Sequence, residues 1–413
     1  MTFPDTPASV ERQAATPRPA RPLDLWLLGA ALCLLGGGTV IVYSSSAVFA
    51  TQHKGDDLFF LKRHLVYLAA GSVALLVGAR IHYQTWRRWA HLALVGAVGA
   101  LAGVLVLGAR INGATRWFRL GPASFQPAEL AKLALVLYLA YSLAKKSEKV
   151  KSFTVGFLPH LAIAGVMMAL LLKQPDLGNA VILGATAMVV LFVAGAKVSY
   201  MLLALMAAAP AIYYMIVGTA WRMQRMLAYF DPWEHRHSRA GYQITESLIS
   251  IGSGGMWGLG LGEGKQKLFF LPEAHNDFIA ASLGEELGLV GLSLLLLLCL
   301  TIVVRGVRAA MGARDPFGMY LAFGLTSLFG MQTLVNLGVV MGLLPAKGLP
   351  LPLVSYGGTS LVFYMFSLGV LLNIGMRAEP TPAAPRARGL LPTREAMARR
   401  RRRALGPALF AKE

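Results

Sequence analysis

Phe278-Ile-Ala-Ala-Ser-Leu-Gly-Glu-Glu-Leu-Gly-Leu-Val-Gly-Leu-Ser-Leu-Leu-Leu-Leu-Leu-Cys-Leu-Thr-Ile-Val303 decides the fold. A helix crosses about 30 Å of hydrocarbon with roughly 20 mainly apolar residues, and this run is longer than that. Working outward, further apolar runs fall at 25–46, 61–79, 89–108, 129–144, 154–172, 178–195, 199–217, 317–343 and 359–376. The pattern predicts an all-α integral membrane protein of about ten transmembrane helices. Composition agrees. Of 413 residues, 56% are hydrophobic and 14% charged, where soluble chains carry about 25% charged residues. The first run is too long for a signal-peptide core and reads as a span.

The formal charge is +19, from 39 Lys and Arg against 20 Asp and Glu. On a soluble chain that excess points to nucleic acid. Here it sits in short loops and tails, as positive-inside topology produces, and no nucleic-acid partner is expected. Arg80, Arg87 and Arg88, then Lys145, Lys146, Lys149 and Lys151, then Lys197, then Arg305, Arg308 and Arg314 fall on one side. That alternation puts both termini in the cytoplasm. A polar tail (1–22), a membrane body (23–376) and a basic tail (377–413) follow, with both tails read as disordered. The run Arg399–Arg403 reads as a topology determinant in preference to a lipid contact. Cys33 and Cys299 lie in spans and read as packing residues, not a disulfide.

Ionisable groups in or beside spans are costly, so they mark candidate chemistry. The irregular stretch 110–128 carries Arg116 and leads into Gln126-Pro127-Ala128-Glu129, with Lys132 one turn on. Pro127 suits a first helical turn, and Glu129 then lies at the positive end of the dipole. Glu129 and Lys132 share a face. They form either a charged wall of a substrate cavity or an internal ion pair. In Gln174-Pro175-Asp176-Leu177-Gly178, Asp176 reads as an N-cap.

The long outer loop, 218–277, between the seventh and eighth spans, is densest in chemistry. It holds Arg222 and Arg225 beside Trp221, then a glycine-rich run from Gly252 to Gly264 whose amides could cradle phosphate. No strand precedes that run and no Gly-Lys-Ser/Thr follows it, which excludes Walker and dinucleotide sites. Lys265, Lys267 and Leu271-Pro272-Glu273-Ala274-His275-Asn276-Asp277 come next. Asp277 is either a general base at a helix N-terminus or a simple N-cap. His275 is two residues away, but no third ligand is spaced for a protein metal site. Last, Pro345-Ala-Lys347-Gly348-Leu-Pro350-Leu-Pro352-Leu-Val-Ser355-Tyr356-Gly357-Gly358 breaks a span. It is either a packed re-entrant loop or a headgroup contact through Lys347 and Ser355.

Four of these stretches together resemble the SEDS family (shape, elongation, division and sporulation): Phe125-Gln126-Pro127-Ala128-Glu129, Gln174 to Gly178, Leu271 to Phe278, and Pro345 to Gly358. The likeness covers roughly 25–376. Lys265-Gln266-Lys267-Leu268 and Lys347 are similar to the FtsW-type division branch, where RodA-type members tend to differ. Asn276 stands where the family commonly has Thr. The resemblance implies a peptidoglycan glycosyltransferase of the bacterial inner membrane, at the division septum, working on the outer face. It implies polymerisation of lipid II by inverting transfer, with undecaprenyl pyrophosphate leaving and the catalytic aspartate at Asp277. Arg116, Lys132, Arg222, Arg225, Lys265 and Lys347 are then the candidate cations for pyrophosphate, with Glu129, His275 and Ser355 as further substrate contacts. No cofactor is certain; Mg²⁺ or Mn²⁺ at the pyrophosphate is the one candidate. The implied partners are a class B penicillin-binding protein transpeptidase and other divisome membrane proteins. The competing readings are a lipid II flippase and a non-catalytic scaffold for the septal transpeptidase.

Overall fold

A computed structural model describes residues 22–378, apart from 112, 122, 266–270, 272 and 273. Both tails, with Arg399–Arg403, and the loop residues Gln266, Lys267, Leu268, Pro272 and Glu273 lie outside the described residues.

The helices, in order, are α1 (Leu25–Lys54), α2 (Phe59–Arg80), α3 (Tyr83–Leu107), α4 (Pro127–Lys145), α5 (Leu158–Lys173), α6 (Leu177–Val193), α7 (Val198–Val217), α8 (Ala220–Phe230), α9 (Arg239–Gly254), α10 (Ile279–Met311), α11 (Pro316–Val340) and α12 (Thr359–Met376). Among the described residues, nine helices are long and apolar enough to cross a membrane, α5 counting with the π-turn Phe153–Phe157 before it. The apolar α6 is shorter, at 17 residues. Each predicted run finds its helix. The elements the sequence did not predict are α8 and α9, inside the long loop, and a small sheet.

Helix starts follow local chemistry. Asp24 caps α1 by accepting from the Leu27 amide at 3.1 Å, and Arg305 of α10 holds the same carboxylate at 2.7 Å. This ties the inner ends of the two helices. Asp315 caps α11 ahead of Pro316, accepting from Gly318 at 3.0 Å, and also takes the Tyr83 hydroxyl. α12 packs along α2, and close approach there uses glycine: a Cβ on Gly78 would stand 2.7 Å from the Phe366 carbonyl. Small residues at such crossings let membrane helices gain contact without a solvent-driven force.

The expectation of an all-α chain needs one correction. Residues 109–125 form a three-stranded antiparallel sheet, β1 (Ala109–Ile111), β2 (Ala114–Leu120) and β3 (Ala123–Phe125), in that order. Gly113 and Gly121 turn the chain at φ 79° and 64°, a conformation glycine adopts without Cβ strain. The Asn112-Gly113 pair was the available signal, since it is a preferred hairpin turn.

A second correction concerns α10, which is broken. Gly288 has φ 65° and ψ −162°, so Ile279–Leu287 and the longer part after it are separate helical pieces. The break frees backbone groups, which cannot stay unpaired at membrane depth. The glycine-rich loop after α9 pairs them. Leu259 and Gly260 donate to the carbonyls of Glu285 and Glu286, both at 3.0 Å, while Leu289 and Val290 donate to those of Gly255 and Met256 at 2.9 and 3.2 Å. Within the glycine-rich run, the amides of Leu259 and Gly260 are therefore used inside the protein.

Residues 341–358 form the packed re-entrant loop. Leu349, Leu351, Leu353, Val354 and Ser355 are buried. The Val354 backbone rests on Gly38 of α1, where a Cβ would meet the Val354 Cα at 2.7 Å. At 1.5 Å per residue, Gly38 lies about 20 Å along α1 from its inner end, so the loop tip reaches membrane depth.

Gly258 and Gly288 face each other across the splint, and a Cβ on either meets the other segment's backbone. Gly288→Ala is expected to lower stability by roughly 1–3 kcal/mol, from overpacking alone. Gly252→Ala, in helix α9 with nothing within 4 Å of the added atom, should leave the midpoint unchanged or slightly raised. Thermal unfolding of both variants in one detergent checks the contrast.

Candidate active site

Asp277 is half-buried and stands just outside α10, whose cap residue is Phe278. The helix boundary falls one residue later, at Phe278. Its carboxylate lies over the backbone of the re-entrant loop: a Cβ on Gly348 would sit 2.5 Å from Asp277 Oδ2. Only a glycine leaves room for that approach. Asn336 of α11 donates to the Asp277 carbonyl at 2.8 Å and to the Leu349 carbonyl at 2.6 Å.

Arg225 feels the Asp277 charge, and Lys347 precedes Gly348 in the chain. Arg225, on α8, is half-buried and donates to the Ala346 carbonyl at 3.0 Å. Burial lowers its guanidinium pKa, the charges of Arg116 and Arg239 add to that, and Asp277 opposes them. Lys347 sits next to the Arg225 anchor in sequence. Burial pushes its ammonium down to about 7, Arg225 adds to the push, Asp176 resists it, and Arg222 and Arg116 contribute less. Several cations held together out of water are strained by mutual repulsion, and an anion among them relieves it. Arg239 was missed in the sequence because nothing in its spacing set it apart.

The other predicted residues are placed as follows. Arg116, on β2, donates to the carbonyls of Gln174 (3.1 Å) and Pro175, and so braces the turn before α6. Asp176 caps that helix, as predicted, accepting from the Asn179 amide at 3.2 Å. Arg222 donates to the Met215 carbonyl at 3.0 Å, and both Arg222 and Arg225 lie over the Trp221 ring at 5.1 Å. Lys265 is exposed, and its amide is held by Glu285 Oε1 at 2.7 Å. The His275 ring is enclosed by Phe60 (4.7 Å), Phe49 (5.9 Å) and Tyr356 (6.0 Å).

Glu129, Lys132 and Ser355 lie deeper in the protein. Glu129 and Lys132 are 3% and 2% exposed and pair at 2.8 Å. Lys132 also donates to Gln332 at 2.6 Å, Tyr364 donates to the same oxygen at 2.7 Å, and Gln332 holds the Pro350 carbonyl at 2.9 Å. The pair is internal. It ties α4, α11, α12 and the re-entrant loop together, and it also lines a small cavity with Leu133, Leu328, Phe363, Tyr364 and Ser367. Ser355 is also buried, with its hydroxyl accepting from the Leu351 amide at 2.8 Å. It closes the loop on itself and is not available to a headgroup. Among the described residues no three His, Cys, Asp or Glu side chains gather as metal ligands.

A bundle of apolar helices and a re-entrant loop, with a carboxylate and several bases at one end, define a polytopic membrane protein. The family described as cell cycle protein, spanning the FtsW, RodA and SpoVE branches, matches residues 25–379. A probable peptidoglycan glycosyltransferase FtsW of Geobacter metallireducens is 47% identical over 361 residues, 87% of this chain and 96% of that protein. Stage V sporulation protein E of Bacillus subtilis is 39% identical, covering 85% and 96%. Two solved structures have the same fold. One chain belongs to a peptidoglycan synthase complex that coordinates polymerization and crosslinking, with TM-score 0.70, 28% identity, and 86% and 98% coverage. The other is the rod shape determining protein RodA of Thermus thermophilus, with TM-score 0.64, 29% identity, and 87% and 99% coverage. The chain belongs to this family and is an FtsW-type SEDS protein.

Lys347 sets a pH test. Its folded-state pKa of about 7 lies below its ordinary 10.5. Between those values the unfolded chain holds a proton that the folded chain has lost, so stability rises with pH there. Binding of an anion recharges Lys347. Affinity for pyrophosphate is therefore expected to weaken above pH 7, by up to about tenfold per unit, with proton uptake on binding. Calorimetry in buffers of different ionisation enthalpy checks the uptake, and Lys347→Met should remove it.

Proposed function

We propose that this protein is a peptidoglycan glycosyltransferase that polymerises lipid II into glycan strands during septal wall synthesis. The observation that carries the reading is the Asp277 carboxylate, set over Gly348 in the same field as Arg225 and Lys347. The names of the similar FtsW proteins support the reaction class.

The chemistry follows from the charges. The acceptor sugar's 4-hydroxyl attacks the anomeric carbon of the lipid-pyrophosphate donor. Asp277 takes the hydroxyl proton as the new carbon–oxygen bond forms. The bond to the pyrophosphate breaks on the opposite side, and configuration inverts, as one base and in-line attack require. Negative charge grows on the leaving pyrophosphate, where Arg225 and Lys347 stand ready with their shells already desolvated. Arg116, Arg222 and Arg225 each donate to backbone carbonyls and keep further N–H donors for an anion. The residues at the site supply one base and several cations. A Mg²⁺ or Mn²⁺ ion fits only as a companion of the pyrophosphate, which is how Mg²⁺ commonly meets protein sites.

The site belongs to the extracytoplasmic face of the inner membrane, with a class B penicillin-binding protein as the partner that crosslinks the strands. The solved relative in a complex for polymerization and crosslinking supports that pairing.

Asp277→Ala and Asp277→Asn are expected to make no glycan polymer from purified lipid II in the reconstituted complex, while still binding the partner. Gel separation of products by length reads this. Polymer at the wild-type rate from either variant would sink the assignment of Asp277 as base.

A further inference from the structure

Asn336 is a buried polar side chain near the C-terminal end of α11, one turn on from Gln332. An amide serving its own helix end would bond to a carbonyl of α11. This one reaches across to two loops instead. Nδ2 places one hydrogen on the Asp277 carbonyl (2.8 Å) and the other on the Leu349 carbonyl (2.6 Å). Its orientation has no freedom. Turning the amide over would set Oδ1 against both carbonyl oxygens and leave three acceptors unpaired. Oδ1 itself has no partner among the described residues, and leaving a buried carbonyl oxygen unpaired is unfavourable. The position therefore retains an amide that its own hydrogen-bond balance does not favour.

The two carbonyls it joins belong to the two segments that form the site. Leu349 follows Gly348, the residue on which the Asp277 carboxylate rests. Joining Leu349 to Asp277 fixes how far the carboxylate stands from the re-entrant loop, which also carries Lys347. A second bond between the same segments, from the Tyr356 amide to the His275 carbonyl at 3.2 Å, lies farther from the carboxylate.

We propose that Asn336 is the positioning residue of the active site, stapling the Asp277 turn to the re-entrant loop so that base and bases keep one geometry. Asn336 touches no substrate; it acts through two backbone carbonyls. The proposal rests on the reading of Asp277 as the base, and the experiment separates the two.

Lipid II polymerisation by the full chain with its partner is measured for Asn336→Asp, Asn336→Ala and Asn336→His, beside Asp277→Ala. Asn336→Asp keeps the shape and loses the donors. It is expected to lower kcat about 100-fold, the effect of roughly 1 Å of misplacement, with KM within about twofold of wild type. Asn336→His restores one ring N–H and should give an intermediate kcat. Wild-type kcat in Asn336→Asp and Asn336→Ala overturns the proposal, and so does a loss confined to KM. Failure of all three variants to fold also overturns it, because Asn336 is then a residue of general stability. An inactive Asp277→Ala with active Asn336 variants rejects the staple alone. A fully active Asp277→Ala rejects the base itself.

Discussion

The structure depends on how it satisfies broken backbone inside a membrane. A helix that stops at membrane depth leaves amides and carbonyls with no water to bond. At Gly288 the loop 255–260 supplies the missing partners, donating to Glu285 and Glu286 and accepting from Leu289 and Val290. This exchange lets Ile279–Leu287 take its own course, separate from the long apolar part of α10. Asp277 enters the site from the start of that short piece. Without the splint the carboxylate would be carried on a continuous span whose direction is fixed by lipid.

The same problem recurs at the re-entrant loop, with a different solution. Side chains replace the neighbouring backbone as partners. Gln332 takes the Pro350 carbonyl, Asn336 the Leu349 carbonyl, and Ser355 the Leu351 amide. The buried Glu129–Lys132 pair belongs to this support, because Lys132 fixes Gln332 from the other side. Buried ion pairs are weak contributors to stability, but removing one partner is severe. Charge inside the bundle is thus spent on holding a loop in shape. Charge on Arg225, Lys347 and Asp277 gathers at one end of the bundle.

Some of the sequence candidates serve the same purpose. The glycine run from Gly252 to Gly264 looks in sequence like a phosphate cradle, because glycine permits close approach to anything. The structure has it approach the protein's own backbone. Ser355 and Glu129 were candidates because they are polar and near the outer face. Their partners are set by packing: the Leu351 amide for Ser355, and for Glu129 the nearby Lys132, which Gln332, 200 residues away, holds from the other side.

The sequence by itself determined the membrane fold, the position of every predicted span, the cap at Asp176, and the motifs that identify the family. These rest on local properties: run length against bilayer thickness, charge in loops, and the preference of a short side chain for a helix start. Tertiary structure decided the break at Gly288, the pairing of the small sheet, and which of the candidate residues lie at one end of the bundle. Asp277, Lys347, Arg225 and Asn336 meet because α8, α10, α11 and a re-entrant loop converge at one end of the bundle. That convergence is fixed by long-range backbone and amide hydrogen bonds, and no window along the chain contains both partners of such a bond.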